Sequence, residues 1–136
     1  MSNFIFCVFI VSIFFFDKSL ALSDEVQEMV KMLHDSCVEE TGVTEALIDG
    51  ARTGNFAEDN SLKCYMKCLM MQLSALTDDG DIDVETVISM LPDEMKADGE
   101  PIIRACGTVK GADECDTVFL TQKCYYQQSP TKYFLI

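Results

Sequence analysis

The chain has 136 residues, with 23 acidic against 10 basic side chains and a net charge of −13 at neutral pH. Such acidity argues against nucleic acid and anionic membrane surfaces as partners and for high solubility. With a single histidine, His34, a zinc centre would have to be built almost wholly from thiolates.

At the N-terminus, Phe4 to Phe16 is a nearly unbroken apolar run, followed by Asp17, Lys18 and then Ser19-Leu20-Ala21. The run is shorter than the ~20 residues a membrane span needs, and small residues at the first and third positions before Leu22 match a secretory cleavage site. No Lys or Arg precedes the run, so only the α-amino group supplies the positive start. Residues 1–21 are expected to be a signal peptide and residues 22–136 one secreted domain without stable membrane association. Cleavage removes Cys7 and leaves six cysteines, an even set that suits a disulfide framework rather than redox catalysis.

The remainder reads as helices separated by turn residues. Ser23 can cap a first helix with Asp24 and Glu25 in its opening turn and Val26, Met29, Val30, Leu33 and Cys37 on its inner face. Thr44 starts a short helix through Arg52, which Gly54 stops. The central helix is expected over Asn60 to Leu76. There Leu62, Met66, Leu69, Met70, Leu73 and Leu76 recur at three- and four-residue steps, Cys64 and Cys68 share a neighbouring stripe, and Lys63, Lys67 and Gln72 face solvent. After the turn DDGD, Asp83 caps a helix over Val84 to Leu91 with Val87 and Ile88 inward, and Pro92 closes it. Because Gly99 and Pro101 interrupt a helical reading, the fifth helix is placed from Pro101 to Cys106. The last runs from Ala112 to Tyr126 and ends before Ser129-Pro130.

Six cysteines allow fifteen pairings. Cys64 with Cys68 makes a poor bridge, since both point the same way from one helix. Cys115 and Cys124 are about 13.5 Å apart along the last helix and point oppositely, beyond the reach of about 7 Å. Ten pairings stay open. The spacing Cys37 x26 Cys64 x3 Cys68 x37 Cys106 x8 Cys115 x8 Cys124, with Cys-Tyr-x-Lys-Cys and the ending Lys-Cys-Tyr-Tyr-x-x-x-Pro, then Tyr-Phe-Leu, resembles that of the six-cysteine insect odorant-binding proteins of the pheromone-binding and general odorant-binding family. The resemblance covers the whole of residues 22–136. It implies an all-α, compact bundle of about six helices around an apolar cavity, with three interlocked disulfides joining Cys37 to Cys68, Cys64 to Cys115 and Cys106 to Cys124.

Motifs that suggest other chemistry fail on their own residues. Asp79, Asp81 and Asp83 copy the first ligands of a calcium loop, but Val84 stands where it needs glycine and Met90 where it needs glutamate. His34-Asp35-Ser36-Cys37 is similar to the catalytic stretch of secreted phospholipases, yet Val30 and Lys31 occupy the places of that family's paired cysteines and no glycine-rich calcium loop precedes it. No enzyme activity, metal or cofactor is expected, and His34 is read as a surface or edge residue. Binding remains. After cleavage the chain keeps seven methionines, the side chain that adapts best to irregular apolar guests, and no tryptophan.

Met66, Met70, Leu73, Leu76, Ile88, Ile103 and Phe119 are the lining candidates, although periodicity does not separate a cavity wall from a packed core. The apolar end, Tyr133, Phe134, Leu135 and Ile136, is expected to fold back over the cavity mouth. The resemblance implies a secreted carrier of small hydrophobic volatile or lipid-like ligands, moving through extracellular fluid such as sensillar lymph toward a chemosensory receptor. A carrier of hormones, lipids or cuticular compounds outside olfaction would share this fold. With one histidine, any acid-driven release is expected to act through carboxylates that loosen the terminal segment.

Overall fold

The computed structural model describes residues 23–136, so the expected signal peptide and Cys7 lie outside the described residues. The chain divides after Val30 into two units. Of the first unit, residues 23–30 form the opening turns of helix α1 (Asp24–Thr41). The Ser23 hydroxyl accepts from the Val26 amide at 3.4 Å and its carbonyl from the Gln27 amide at 3.1 Å. Met29 there is exposed, although its spacing places it on the stripe that carries Leu33 and Cys37.

The second unit, Lys31–Ile136, contains the rest of α1 and then α2 (Glu45–Arg52), α3 (Asn60–Gln72), α4 (Val84–Met90), α5 (Asp93–Cys106) and α6 (Glu114–Gln128). Among the described residues the only β-pairing is an isolated antiparallel bridge between Leu76 and Ile82. Short polar side chains begin four of the helices by accepting first-turn amides: Thr44 from Leu47, Asp59 from Ser61 and Leu62, Asp83 from Thr86, and Asp113 from Asp116.

Several boundaries depart from the sequence reading. Helix α3 stops at Gln72, because Ser74 adopts a left-handed φ of 56° and the chain folds into a loop closed by the Asp83 amide on the Ala75 carbonyl at 2.8 Å. Leu73 and Leu76 keep the apolar pattern going because the loop also packs against the core. Helix α5 begins at Asp93, eight residues before Pro101. Pro101 lies on an exposed face, and Gly99 admits the Leu91 side chain, whose Cδ1 would lie 2.7 Å from an added Cβ. Helix α6 starts at Glu114 rather than Ala112, since the Asp113 carboxylate caps it.

Helix α3 packs chiefly on α6, and α5 packs on both α4 and α6. Leu62, Tyr65, Met66 and Leu69 of α3 meet Val118 and Phe119 of α6, with Ile48 and Ala51 of α2 and Phe56 completing the core. Disulfides join Cys37 to Cys68, Cys64 to Cys115 and Cys106 to Cys124, with Cα separations of 5.7, 4.7 and 5.9 Å. They tie α1 to α3, α3 to α6 and α5 to α6. Such loops contribute about 3 to 4 kcal/mol each in a chain-entropy treatment, less when they overlap.

Candidate functional site

The apolar wall is built by α3 and α6. Met66 and Met70 arise from one stripe of α3, and Phe119 comes from α6; all three are buried in the core cluster. Leu73 and Leu76 pack half-buried against that cluster from the loop after α3. Ile88 on α4 and Ile103 on α5 are also buried, but outside the cluster.

The terminal segment packs against the core cluster to which Met66, Met70 and Phe119 belong. A turn at Ser129, whose carbonyl accepts from the Lys132 and Tyr133 amides at 3.2 and 3.1 Å, leads into it, and Lys132 pairs with Asp98 of α5. Tyr133, Leu135 and Ile136 pack against the core, whereas Phe134 is 58% exposed. Phe134 thus departs from the expectation that the whole segment turns inward.

Tyr133 stands in an aromatic cluster, 5.9 Å from Phe56 and 5.6 Å from Tyr126 between ring centroids, with Phe56 also 5.7 Å from Phe119. Its hydroxyl donates to Gln122 Oε1 at 3.0 Å. Tyr126 in turn donates to the Thr53 carbonyl at 3.1 Å and covers Gly54, whose φ of 98° and missing Cβ make room for the ring 2.5 Å from where that Cβ would stand.

Backbone oxygens of the segment are clamped by two side chains that the sequence reading passed over. Arg52 Nε donates to the Leu135 carbonyl at 3.0 Å, and the Tyr65 hydroxyl donates to the Ile136 oxygen at 2.5 Å. Tyr65 is fully buried and was legible, since it lies three residues after Leu62 and four before Leu69 on the apolar stripe. Its hydroxyl also meets His34 Nδ1 at 2.8 Å, while His34 Nε2 lies 2.6 Å from Glu45 Oε1. His34 is therefore not a surface or edge residue: 18% of its side chain is exposed, and it links Glu45 to the terminal segment through Tyr65. Burial pushes the Tyr65 and Tyr125 phenols up to about 12 and raises Tyr133 as well, so all three hydroxyls keep their protons.

Polar features elsewhere in this unit serve the framework. Lys63, expected to face solvent, is instead largely buried between Glu58 at 2.7 Å and Asp116 at 2.8 Å, with its ammonium 5.0 Å from the Phe119 ring centroid. A groove of about 340 Å³ beside the Cys64–Cys115 and Cys37–Cys68 bridges is lined by polar residues including Glu40, Asn60 and Lys67, together with Met71, and by none of the predicted lining residues. Glu40 approaches Cys37 and Cys68, but both sulfurs are held in their disulfide, so one carboxylate remains and no metal donor set. The acidic loop is likewise engaged, Asp83 capping α4 and Asp81 pairing with Lys110.

Comparison with known proteins places this geometry among relatives. The model of the PBP/GOBP family matches residues 19–128. General odorant-binding protein 69a of Drosophila melanogaster is 26% identical over 110 residues, which cover 80% of this chain and 74% of that protein. The structure of Apis mellifera odorant binding protein 5 matches with a TM-score of 0.77 and 28% identity, covering 87% of this chain and 100% of that one. Odorant binding protein 7 of Anopheles gambiae, with four disulfide bridges and in complex with an azo compound, matches at a TM-score of 0.71 and 27% identity over 81% of this chain and 90% of that one.

Proposed function

The chain belongs to the PBP/GOBP family, and from that premise we propose that it delivers small hydrophobic molecules to chemosensory receptors through an extracellular fluid such as sensillar lymph. It is a carrier for small hydrophobic ligands, like its odorant-binding relatives, which are carriers and not enzymes. The family is extracellular, and no described helix is long and apolar enough to cross a membrane. Under this reading residues 1–21 are the secretory signal, cleaved after Ala21.

The observation that carries the proposal is a terminal segment packed against the core cluster and held there by side chains that can let go. An apolar guest held there would gain about 25 cal/mol for each Å² removed from water, and reversible contacts would allow it in and out. Tyr133 and Leu135 would then line the chamber from the tail side, with Leu73 and Leu76 at its edge; Ile88, Ile103 and Phe134 would contribute less.

Displacement of N-phenyl-1-naphthylamine from the secreted protein by a panel of aliphatic and aromatic volatiles tests the carrier function. Saturable probe uptake and displacement at micromolar concentrations are expected. No uptake of the probe or of any compound in the panel would defeat the proposal. Delivery is tested separately, by whether the loaded protein raises the response of an olfactory receptor neuron above that to the ligand alone.

A further inference from the structure

On α6, one enclosed hydroxyl has no use among the described residues. Tyr125 Oη is enclosed and, among the described residues, has no hydrogen-bond partner. Its phenol keeps its proton, so it is a donor left unused. Gln122 lies one turn earlier on the same face of α6. Its Oε1 accepts the Tyr133 hydroxyl at 3.0 Å, whereas its amide nitrogen meets only Met70 Sδ at 3.9 Å, and a thioether is a weak acceptor. Tyr133, hydrogen-bonded to Gln122 one turn from Tyr125, sets its hydroxyl beside the same stretch of α6. What this neighbourhood lacks is an acceptor. Buried donors without acceptors are rare in folded proteins because the lost hydration is not replaced. The nearby cation Arg52 already pairs with Asp49 at 2.6 Å and with the Leu135 carbonyl at 3.0 Å, so its charge is already engaged.

We propose that Tyr125 and Gln122 form a polar end-site that takes the carbonyl oxygen of an uncharged aliphatic carbonyl compound, a ketone, aldehyde or ester, while its chain lies along Met66, Met70 and Phe119. This rests on the carrier reading and gives it a ligand class. A hydrocarbon of equal length leaves both donors unpaired, and a carboxylate brings a charge that nothing at the site neutralises.

The test compares undecane, 2-undecanone and undecanoate as displacers of N-phenyl-1-naphthylamine, in the wild type, Tyr125→Phe and Gln122→Met. The wild type should prefer the ketone over the alkane by about tenfold, the scale of one buried hydrogen bond, and over the carboxylate by at least as much. Tyr125→Phe keeps the ring and its packing, so it should lose most of the ketone preference while its alkane affinity stays, and Gln122→Met should lose part of it. The carbonyl stretch of ¹³C-labelled 2-undecanone should lie at lower wavenumber when bound to the wild type than to Tyr125→Phe, a readout that does not depend on affinity. An unchanged ketone-to-alkane ratio in both variants, or undecanoate binding as tightly as the ketone, overturns the end-site while leaving the carrier reading intact. Failure of the wild type to take up the probe at all overturns both.

Discussion

The α3–α6 core and the segment from Tyr133 to Ile136 are neighbours held by opposite means. Two of the three disulfides end on α3 and two on α6, and the core between them contains fully buried Tyr65, Met66, Val118 and Phe119. The segment has no covalent tie: ring contacts, two clamped backbone oxygens and the Tyr133–Gln122 hydrogen bond hold it. Each such hydrogen bond contributes about 1 kcal/mol net. The difference teaches where the protein can open, since regions with few buried contacts and no cross-link exchange at lower free energy than the core.

The largest effect is expected from breaking the core side of this contrast. Changing Cys64 and Cys115 together to serine opens a link across 51 positions and should lower stability by about 4 kcal/mol, read as a lower urea midpoint. A midpoint within error of the wild type would show that packing alone, not the bridge, sets the core apart. Deleting residues 131–136 attacks the other side. Ligand exchange measured by stopped flow should accelerate by about a hundredfold, the loss of three hydrogen bonds of about 1 kcal/mol each, while the urea midpoint falls less than in the disulfide variant. Equal falls would place the segment within the core.

A finer cut is Tyr65→Phe, which removes only the hydroxyl on the Ile136 oxygen and should speed exchange about fivefold. This hydroxyl has one proton and two neighbours that can accept it. When neutral His34 donates from Nε2 to Glu45, its Nδ1 competes with Ile136 for that proton; when His34 is charged, Nδ1 donates instead and the proton is free for Ile136. Charging His34 therefore favours the docked segment, opposite in sign to a release driven by carboxylates. Exchange rates followed on acidification should rise more steeply in His34→Gln than in the wild type, and a shallower rise in the variant would reverse this assignment.

The smallest effect concerns the core's acid limit. A hydrogen bond from Lys63, followed by one from the Ala112 amide, holds the Asp116 carboxyl below its usual range. A depressed carboxylate contributes stability above its ordinary value, and that contribution is lost as pH falls through the lowered one, so it disappears only below about pH 4. Asp116→Asn should flatten the stability decline below pH 4 and leave neutral-pH ligand affinity unchanged. A variant that melts as steeply with acid as the wild type would remove Asp116 from that limit.

Much of the helical order was legible because its signals are local. Thr44 and Asp83 were read as caps, and each accepts an amide three residues onward, a contact that needs no distant partner. Cysteine spacing carried the family resemblance, because bridges between fixed helix faces restrict how far apart the cysteines stand along the chain. The candidate wall was legible only as a set: Met66, Met70 and Phe119 share the periodicity of any core residue, so nothing local marks them as facing a guest.

By itself, then, the sequence determined an acidic, all-helical, disulfide-linked carrier of a known family, since composition, capping and cysteine spacing act over a few residues or through covalent bonds. Tertiary structure alone decided that α3 ends before Leu73 and that α5 passes through Pro101, because a left-handed Ser74 and the Leu91 contact at Gly99 depend on what packs around them. It also decided that Phe134 turns outward, that His34 reaches the terminal segment through Tyr65, and that Tyr125 is left without a partner. Tyr65 and Ile136 are 71 positions apart, and Arg52 and Leu135 are 83. No periodicity spans such distances; only the folded chain brings those atoms within a hydrogen bond.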